Sequence, residues 1–161
     1  MKYVLIYIAV IFLTNFGFAY VPPIDIGFGL FSPMAIAAGA VFVARDYAQR
    51  SVGHFVLPAM LVGCAISYLM ADPYVAMASL ISFAVSEGID WILFTVTKKP
   101  FHHRVLISSA LATPVDTLIF LSFIDILTPA TFVLMVVAKI STSLWIYGYG
   151  TAKERRLARQ A

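Results

Sequence analysis

Long apolar stretches separated by short polar breaks run the whole length of the chain. Residues 3–21 form the first, stopped by Pro22, Pro23 and Asp25. Residues 27–44 form the second, glycine-rich and carrying Pro33, and it ends at Arg45 and Asp46. The third covers 54–71 and closes at an Asp72-Pro73 turn; the fourth, 74–97, is interrupted by Glu87 and Asp90. Residues 105–126 carry Asp116, residues 129–149 carry Lys139, and a charged stretch at 153–159 follows. A helix crosses the hydrocarbon layer with about 20 mainly apolar residues, so the pattern predicts an all-α integral membrane protein, a bundle of about six transmembrane helices. Proline removes a donor and crowds the preceding turn, so the second span is expected to be kinked or partly unwound at Pro33. Residues 1–150 read as a single transmembrane domain and 151–161 as a short basic cytoplasmic tail.

Charge then orients the bundle. Cytoplasmic loops of membrane proteins carry the excess of lysine and arginine. All but Lys139 of the 11 cations precede the first span, follow the sixth, or lie between the second and third or the fourth and fifth. The alternate loops hold Asp25, Asp72 and Asp125 and no cation. Both termini are therefore expected in the cytoplasm. Composition agrees: 61% of residues are hydrophobic, 12% are charged, and the mean hydropathy is +0.93, whereas soluble domains carry about 25% charged residues. The net charge of +3 serves orientation, and no nucleic-acid partner is expected. The first span is too long for a cleaved signal and lacks a small-x-small site, so it reads as a retained helix. Cys64, the single cysteine, lies in an apolar run and supports neither a disulfide nor a thiolate metal site.

Small residues recur four apart at Ala59, Gly63, Ser67 and Ala71, and at Ala78, Ser82 and Ser86. Such stripes let helices approach closely in lipid. Tyr68, Trp91, Trp145 and Tyr147 include candidates for interfacial anchors.

Ionisable residues inside a span face the bundle interior and mark a ligand or ion path by default. Glu87, Asp116 and Lys139 each fall near the middle of their helices, with Asn15 at similar depth. Asp90 is at i+3 from Glu87 and shares its face. Asp116 and Lys139 can neutralise each other across adjacent antiparallel helices, which is structural glue as readily as function. One lysine cannot balance Glu87, Asp90 and Asp116 together, so a proton, a cation or a hydrogen-bond-donating ligand is required. Arg45, Asp46 and Gln49 stand at the cytoplasmic end of the second span; Asp46 and Gln49 share a face and are not needed for topology. His102 and His103, among Lys99, Pro100 and Arg104, read as a solvated loop rather than metal ligands. A phosphate-binding glycine loop, a His-Glu-x-x-His pattern and a nucleophile elbow are all missing from the sequence, and every histidine lies at a membrane edge. An enzyme is disfavoured, and no cofactor or metal is implied.

Several motifs, taken in order, resemble one family. Arg45-Asp46-x-x-Gln49-x-x-x-Gly53, Ser67-Tyr68-x-x-Ala71-Asp72, Ala78-Ser79-x-x-x-Phe83-x-x-Ser86-Glu87-x-x-Asp90, and Ser108-Ser109 with Asp116 are similar to the queuosine precursor transporter family, also called the vitamin uptake transporter family. The similarity covers most of residues 40–125; the first helix matches only as a hydrophobic span, and the chain is shorter than a typical member. The resemblance implies a multi-pass protein of the bacterial inner (plasma) membrane. It would import a deazaguanine precursor of queuosine, such as 7-cyano-7-deazaguanine, and a homo-oligomer is compatible with it. A guanine-like ring presents an N–H and an amino group on one edge, which a carboxylate accepts as a pair. Glu87 is the first choice for that role, with Asp90 or Asp116 second. Gln49 and Asn15 would read other polar atoms, and Phe83 or Trp91 would stack on the ring. Arg45, Asp46 and Lys139 are assigned as structural or coupling charges. Two alternatives stand beside this. One is a capture subunit of an energy-coupling-factor vitamin importer, disfavoured because Ala9 is followed four residues later by Leu13 and not by the alanine of a docking patch. The other is a non-transporting structural membrane protein.

Overall fold

The computed structural model describes residues 1–70 and 73–158. Helix α1 spans Lys2–Tyr20. A two-residue hairpin follows, β1 (Ile24–Asp25) paired antiparallel with β2 (Leu30–Phe31). Then come α2 (Met34–Val52), a 3-10 turn at Gly53–Phe55, α3 (Val56–Met70), α4 (Pro73–Val96), α5 (Phe101–Phe123) and α6 (Pro129–Ala158).

Four boundaries differ from expectation for identifiable reasons. The second helix begins at Met34 rather than at 27, because the hairpin occupies the glycine-rich stretch. Gly27 takes φ +87° there, a conformation that side chains resist. Pro33 is the N-cap of α2, so it starts the helix and does not kink it; a missing N–H costs nothing where no intrahelical bond is owed. The helix then continues through Arg45 and Asp46, which were expected to end it. Both are fully buried, their charges neutralised inside the bundle. His102 and His103 lie in the first turn of α5, not in a solvated loop; His102 is buried and packs with Tyr147 at 5.7 Å between ring centroids. The basic tail from 151 to 158 is the continuation of α6. Asp72 and Arg159, assigned to an external turn and to the tail, fall outside the described residues.

Side-chain contacts fix how the helices run. Tyr3 stacks on Tyr47 at 5.7 Å while Gly17 packs on Met34, so α1 and α2 are antiparallel. Ile11 meets Gly63 and Asn15 meets Ser67, so α3 runs parallel to α1. Arg45 reaches Asp90 and Gln49 reaches Thr95, which makes α4 parallel to α2. Arg104 with Phe94 and Ser86 with Asp116 make α5 antiparallel to α4. Lys139 with Asp116 and Gly150 with His102 reverse α6 again. Direction thus alternates along the chain, and the N-terminus and the end of α6 lie at one end of the bundle with Lys2, Arg50, Lys99 and Arg104.

Small residues set the closest approaches. A Cβ on Gly39 would lie 2.0 Å from the Lys139 carbonyl oxygen, so α2 and α6 touch backbone to backbone. Gly63, in the predicted small-residue stripe, lets Ile11 and Phe83 within 2.7 and 3.1 Å of the same position.

The distribution of polarity is inverted relative to a soluble protein. Leu61, Leu69 and Val137 are 72%, 79% and 62% exposed, while Arg45, Asp46 and Asp90 are fully buried. In water such a surface would be a large aggregation liability; in hydrocarbon it is the expected outer face. Among the described residues, five helical segments are long and apolar enough to cross a membrane, with Met34–Met70 counted as one of them. The chain is an all-α, multi-pass membrane bundle.

Candidate functional site

Helix α4 organises the interior. Ser86, Glu87 and Asp90 are all buried on it, and three neighbouring helices bring partners to them.

Toward the end that holds the termini lies a buried charge network, in which Arg45 Nε and Asp90 Oδ1 have no hydrogen-bond partner among the described residues. Arg45 Nη1 donates to Gln49 Oε1 at 2.7 Å, and Nη2 donates to Asp46 Oδ1 at 2.5 Å. The same guanidinium forms an ion pair with Asp90. Ser108 Oγ donates to Asp46 Oδ2 at 3.3 Å. Gln49 Nε2 donates to Thr95 Oγ1 at 2.7 Å, and the Thr95 hydroxyl donates to the Trp91 carbonyl at 2.7 Å. Arginine's planar fork suits such a junction, because it engages several acceptors at once without being deprotonated. Phe94, whose ring centroid is 5.7 Å from the Arg45 guanidinium, covers the network on that side.

Toward the opposite end lies a cavity of about 660 Å³, within the roughly 300–1,000 Å³ typical of small-molecule sites. Its polar lining includes Asn15, Ser67, Ser82, Glu87, Asp116 and Lys139, and Phe83 and Phe120 supply aromatic walls. The lining extends to Val21, Pro23 and Ile126, in the connections at the end away from the termini.

Glu87 stands between network and cavity. Tyr7 Oη donates to Glu87 Oε2 at 2.5 Å, while Glu87 Oε1 is buried and has no hydrogen-bond partner. An unsatisfied buried acceptor costs about 1–3 kcal/mol, more when charged, and a ligand donor would recover that cost. Asp116 is different. Its Oδ1 accepts from Ser86 Oγ at 3.1 Å and its Oδ2 from Lys139 Nζ at 2.6 Å, so the Asp116–Lys139 pairing expected from depth is present. Lys139 also donates to Thr117 Oγ1 at 3.2 Å. Asn15 Nδ2 donates to the Ile11 carbonyl at 2.9 Å and to Ser67 Oγ at 3.3 Å, which leaves its side-chain oxygen as a further acceptor.

The residues singled out from sequence therefore separate into two groups. Glu87, Asp116, Asn15, Phe83 and Lys139 line the cavity. Asp90, Gln49 and Trp91 do not. Asp90 and Gln49 are committed to Arg45, and Trp91 packs into the apolar cluster around Tyr7, Ile11 and Val56, edge-on to His54 at 5.5 Å, rather than serving as an exposed interfacial anchor. Arg45 and Asp46 are interior groups, not loop charges. Tyr7 joins the site from structure alone; its sequence signal is a hydroxyl inside an apolar span, which needs a partner when buried. Ser67 and Ser82 were seen only as small packing residues.

Among the described residues the interior holds four carboxylates, Asp46, Glu87, Asp90 and Asp116, against two cations, Arg45 and Lys139. In a medium hostile to charge the excess acid must be protonated, paired with a cation or hydrogen-bonded by a donor-bearing ligand. No family model matches the chain, and neither a curated protein nor a solved structure does.

Proposed function

We propose that the chain is a transporter of the bacterial inner membrane that imports a small guanine-like base, a deazaguanine precursor of queuosine such as 7-cyano-7-deazaguanine. The observation that carries this reading is the bare Glu87 Oε1 in a residue that lines a ligand-sized cavity. A buried carboxylate with one oxygen fixed by Tyr7 and the other without a partner is an acceptor that a ligand's donors would satisfy. The amidine edge of a guanine-type ring supplies two. Phe83 and Phe120 offer apolar faces to a flat ring, and the order of the Arg45-Asp46/Gln49 and Ser86-Glu87-x-x-Asp90 motifs supports the same family of ligands.

In this reading α1 to α6 are six spans with both termini in the cytoplasm. The cations gathered at the terminal end support that orientation, with Arg45 removed from the tally because it is buried. The cavity then faces outward, and the Arg45–Asp46–Asp90 network closes the inward side. The chain acts alone, without a motor subunit.

Glu87→Gln tests the proposal. The amide oxygen can keep the Tyr7 bond, which puts the NH2 in the place of Oε1, where it opposes the ring's own donors. Losing one charge-assisted bond and adding a donor clash should weaken binding by about 3 kcal/mol or more, over a hundredfold. The measurements are precursor uptake in cells unable to make queuosine, expressing only this chain, and equilibrium binding to purified protein. Normal binding by a well-folded Glu87→Gln protein would reject the role, and absence of uptake by the unaltered chain expressed alone would reject solitary transport.

A further inference from the structure

Among the described residues Lys139 is the one cation on the cavity wall, and its hydrogen bonds do not add up to a closed pair. An ammonium carries three N–H donors. One goes to Asp116 Oδ2 at 2.6 Å and one to Thr117 Oγ1 at 3.2 Å, so among the described residues the third has no partner. Asp116, by contrast, has a donor on each oxygen. Both of its oxygens thus have a partner, and one of them holds the lysine. The backbone at Lys139 is also pinned, because Gly39 brings α2 directly against its carbonyl. A cation fixed at its root by one helix, oriented at its tip by a carboxylate and a hydroxyl, and left with one donor on a cavity wall is arranged as a reader of an acceptor atom.

We propose that Lys139 determines specificity by donating to a carbonyl oxygen on the ligand, while Glu87 accepts from the ligand's adjacent N–H groups. This rests on the transport reading above and narrows it. The cavity then selects a ring edge on which an acceptor oxygen stands beside an N–H and an amino group. A ring with the donors but a poor acceptor satisfies Glu87 and leaves the ammonium desolvated without recompense, so binding falls. Asp116 acts as a positioning residue for Lys139.

Three probes separate the roles on purified full-length protein by equilibrium binding: 7-cyano-7-deazaguanine; its thiocarbonyl analogue, which keeps both N–H groups while making the acceptor poorer and larger, a size effect that the Lys139 variant would retain; and the analogue lacking the 2-amino group, which removes a Glu87 partner. The unaltered protein should bind the thiocarbonyl ring about tenfold more weakly than the parent, as expected for damage to one charge-assisted bond. In Lys139→Met/Asp116→Asn, which removes both charges together and leaves the interior's excess of acid over base unchanged, parent and thiocarbonyl rings should bind alike apart from that size effect, while the loss on removing the 2-amino group persists. Equal binding of parent and thiocarbonyl rings by the unaltered protein overturns the proposal even if the double variant fails to fold. A folded double variant that keeps the tenfold preference overturns it as well. Failure of all three rings to bind the unaltered protein removes the transport reading and this inference with it, whereas indifference to the thiocarbonyl change alone leaves the Glu87 reading standing.

Discussion

Replacing Arg45 by methionine should be among the most damaging single changes in the chain. The guanidinium is fully buried and, among the described residues, is the cation in ion-pair contact with Asp46 and Asp90, both also fully buried. Methionine fills much the same volume and belongs in an apolar span, so the loss is electrostatic. Two carboxylates are left side by side with only Ser108 for Asp46, and Gln49 Oε1 loses its donor. Breaking a buried pair by removing one partner costs about 3–5 kcal/mol, and here one partner serves two acids. At about 2–4 °C per kcal/mol for a chain of this size, the apparent melting temperature in detergent should fall by at least about 6 °C. Neutralising the acids as well, in Arg45→Met/Asp46→Asn/Asp90→Asn, should recover most of it, because a network of matched volume without charge is close to neutral in cost. Arg45→Lys should fall between, since an ammonium cannot span Gln49, Asp46 and Asp90 together. Thermal unfolding followed by size-exclusion chromatography of heated samples gives the readout. An Arg45→Met protein as stable as the parent, or a triple variant no better than the single, would refute the claim that this charge is held by its partners.

Three further outcomes are expected. Tyr7→Phe removes only the hydroxyl that fixes Glu87 Oε2; precursor binding should weaken about tenfold or more with folded yield unchanged, and unaltered affinity would mean that Glu87 needs no such support. Gly39→Val places side-chain atoms where the Lys139 carbonyl already lies, so α2 and α6 must separate; overpacking costs about 1–3 kcal/mol or more, and folded yield should drop sharply, whereas the same change at Gly88, which has open space around it, should be tolerated far better in a yield comparison. In a Cys64→Ala background, a cysteine at Lys99 should be labelled only from the cytoplasmic side and one at Phe28, 70% exposed on the hairpin, only from outside; external labelling at Lys99 would sink the six-span orientation.

Much of the architecture was legible because a bilayer leaves few options. Backbone groups in hydrocarbon must be satisfied within their own segment, so each long apolar run had to become a helix, and α1, α4 and α6 begin within a residue of where the pattern put them. The Asp116–Lys139 pair was also readable, since adjacent antiparallel helices bring equal depths together. Other features depend on how helices are rotated and which become neighbours. Apolar glycine-rich sequence suits a helix or a tight hairpin, and only the packing of Gly29 against Ala130 and Thr131, with the Leu30 N–H donating to Thr131 Oγ1, decides for the hairpin. Arg45 and Asp46 look like a helix end in one dimension; they are interior because α4 delivers Asp90 and α5 delivers Ser108 to the same depth. Tyr7 and Glu87 are 80 residues apart, and nothing local links them. The sequence alone determined that the chain buries charge in a membrane bundle, since composition and hydrophobic length set the solvent each segment must face. Which carboxylate is spent on an arginine, which on a lysine, and which lines a cavity with one oxygen fixed by a tyrosine was decided only by tertiary structure, because hydrogen bonds act over about 3 Å and the positions they join are set by packing.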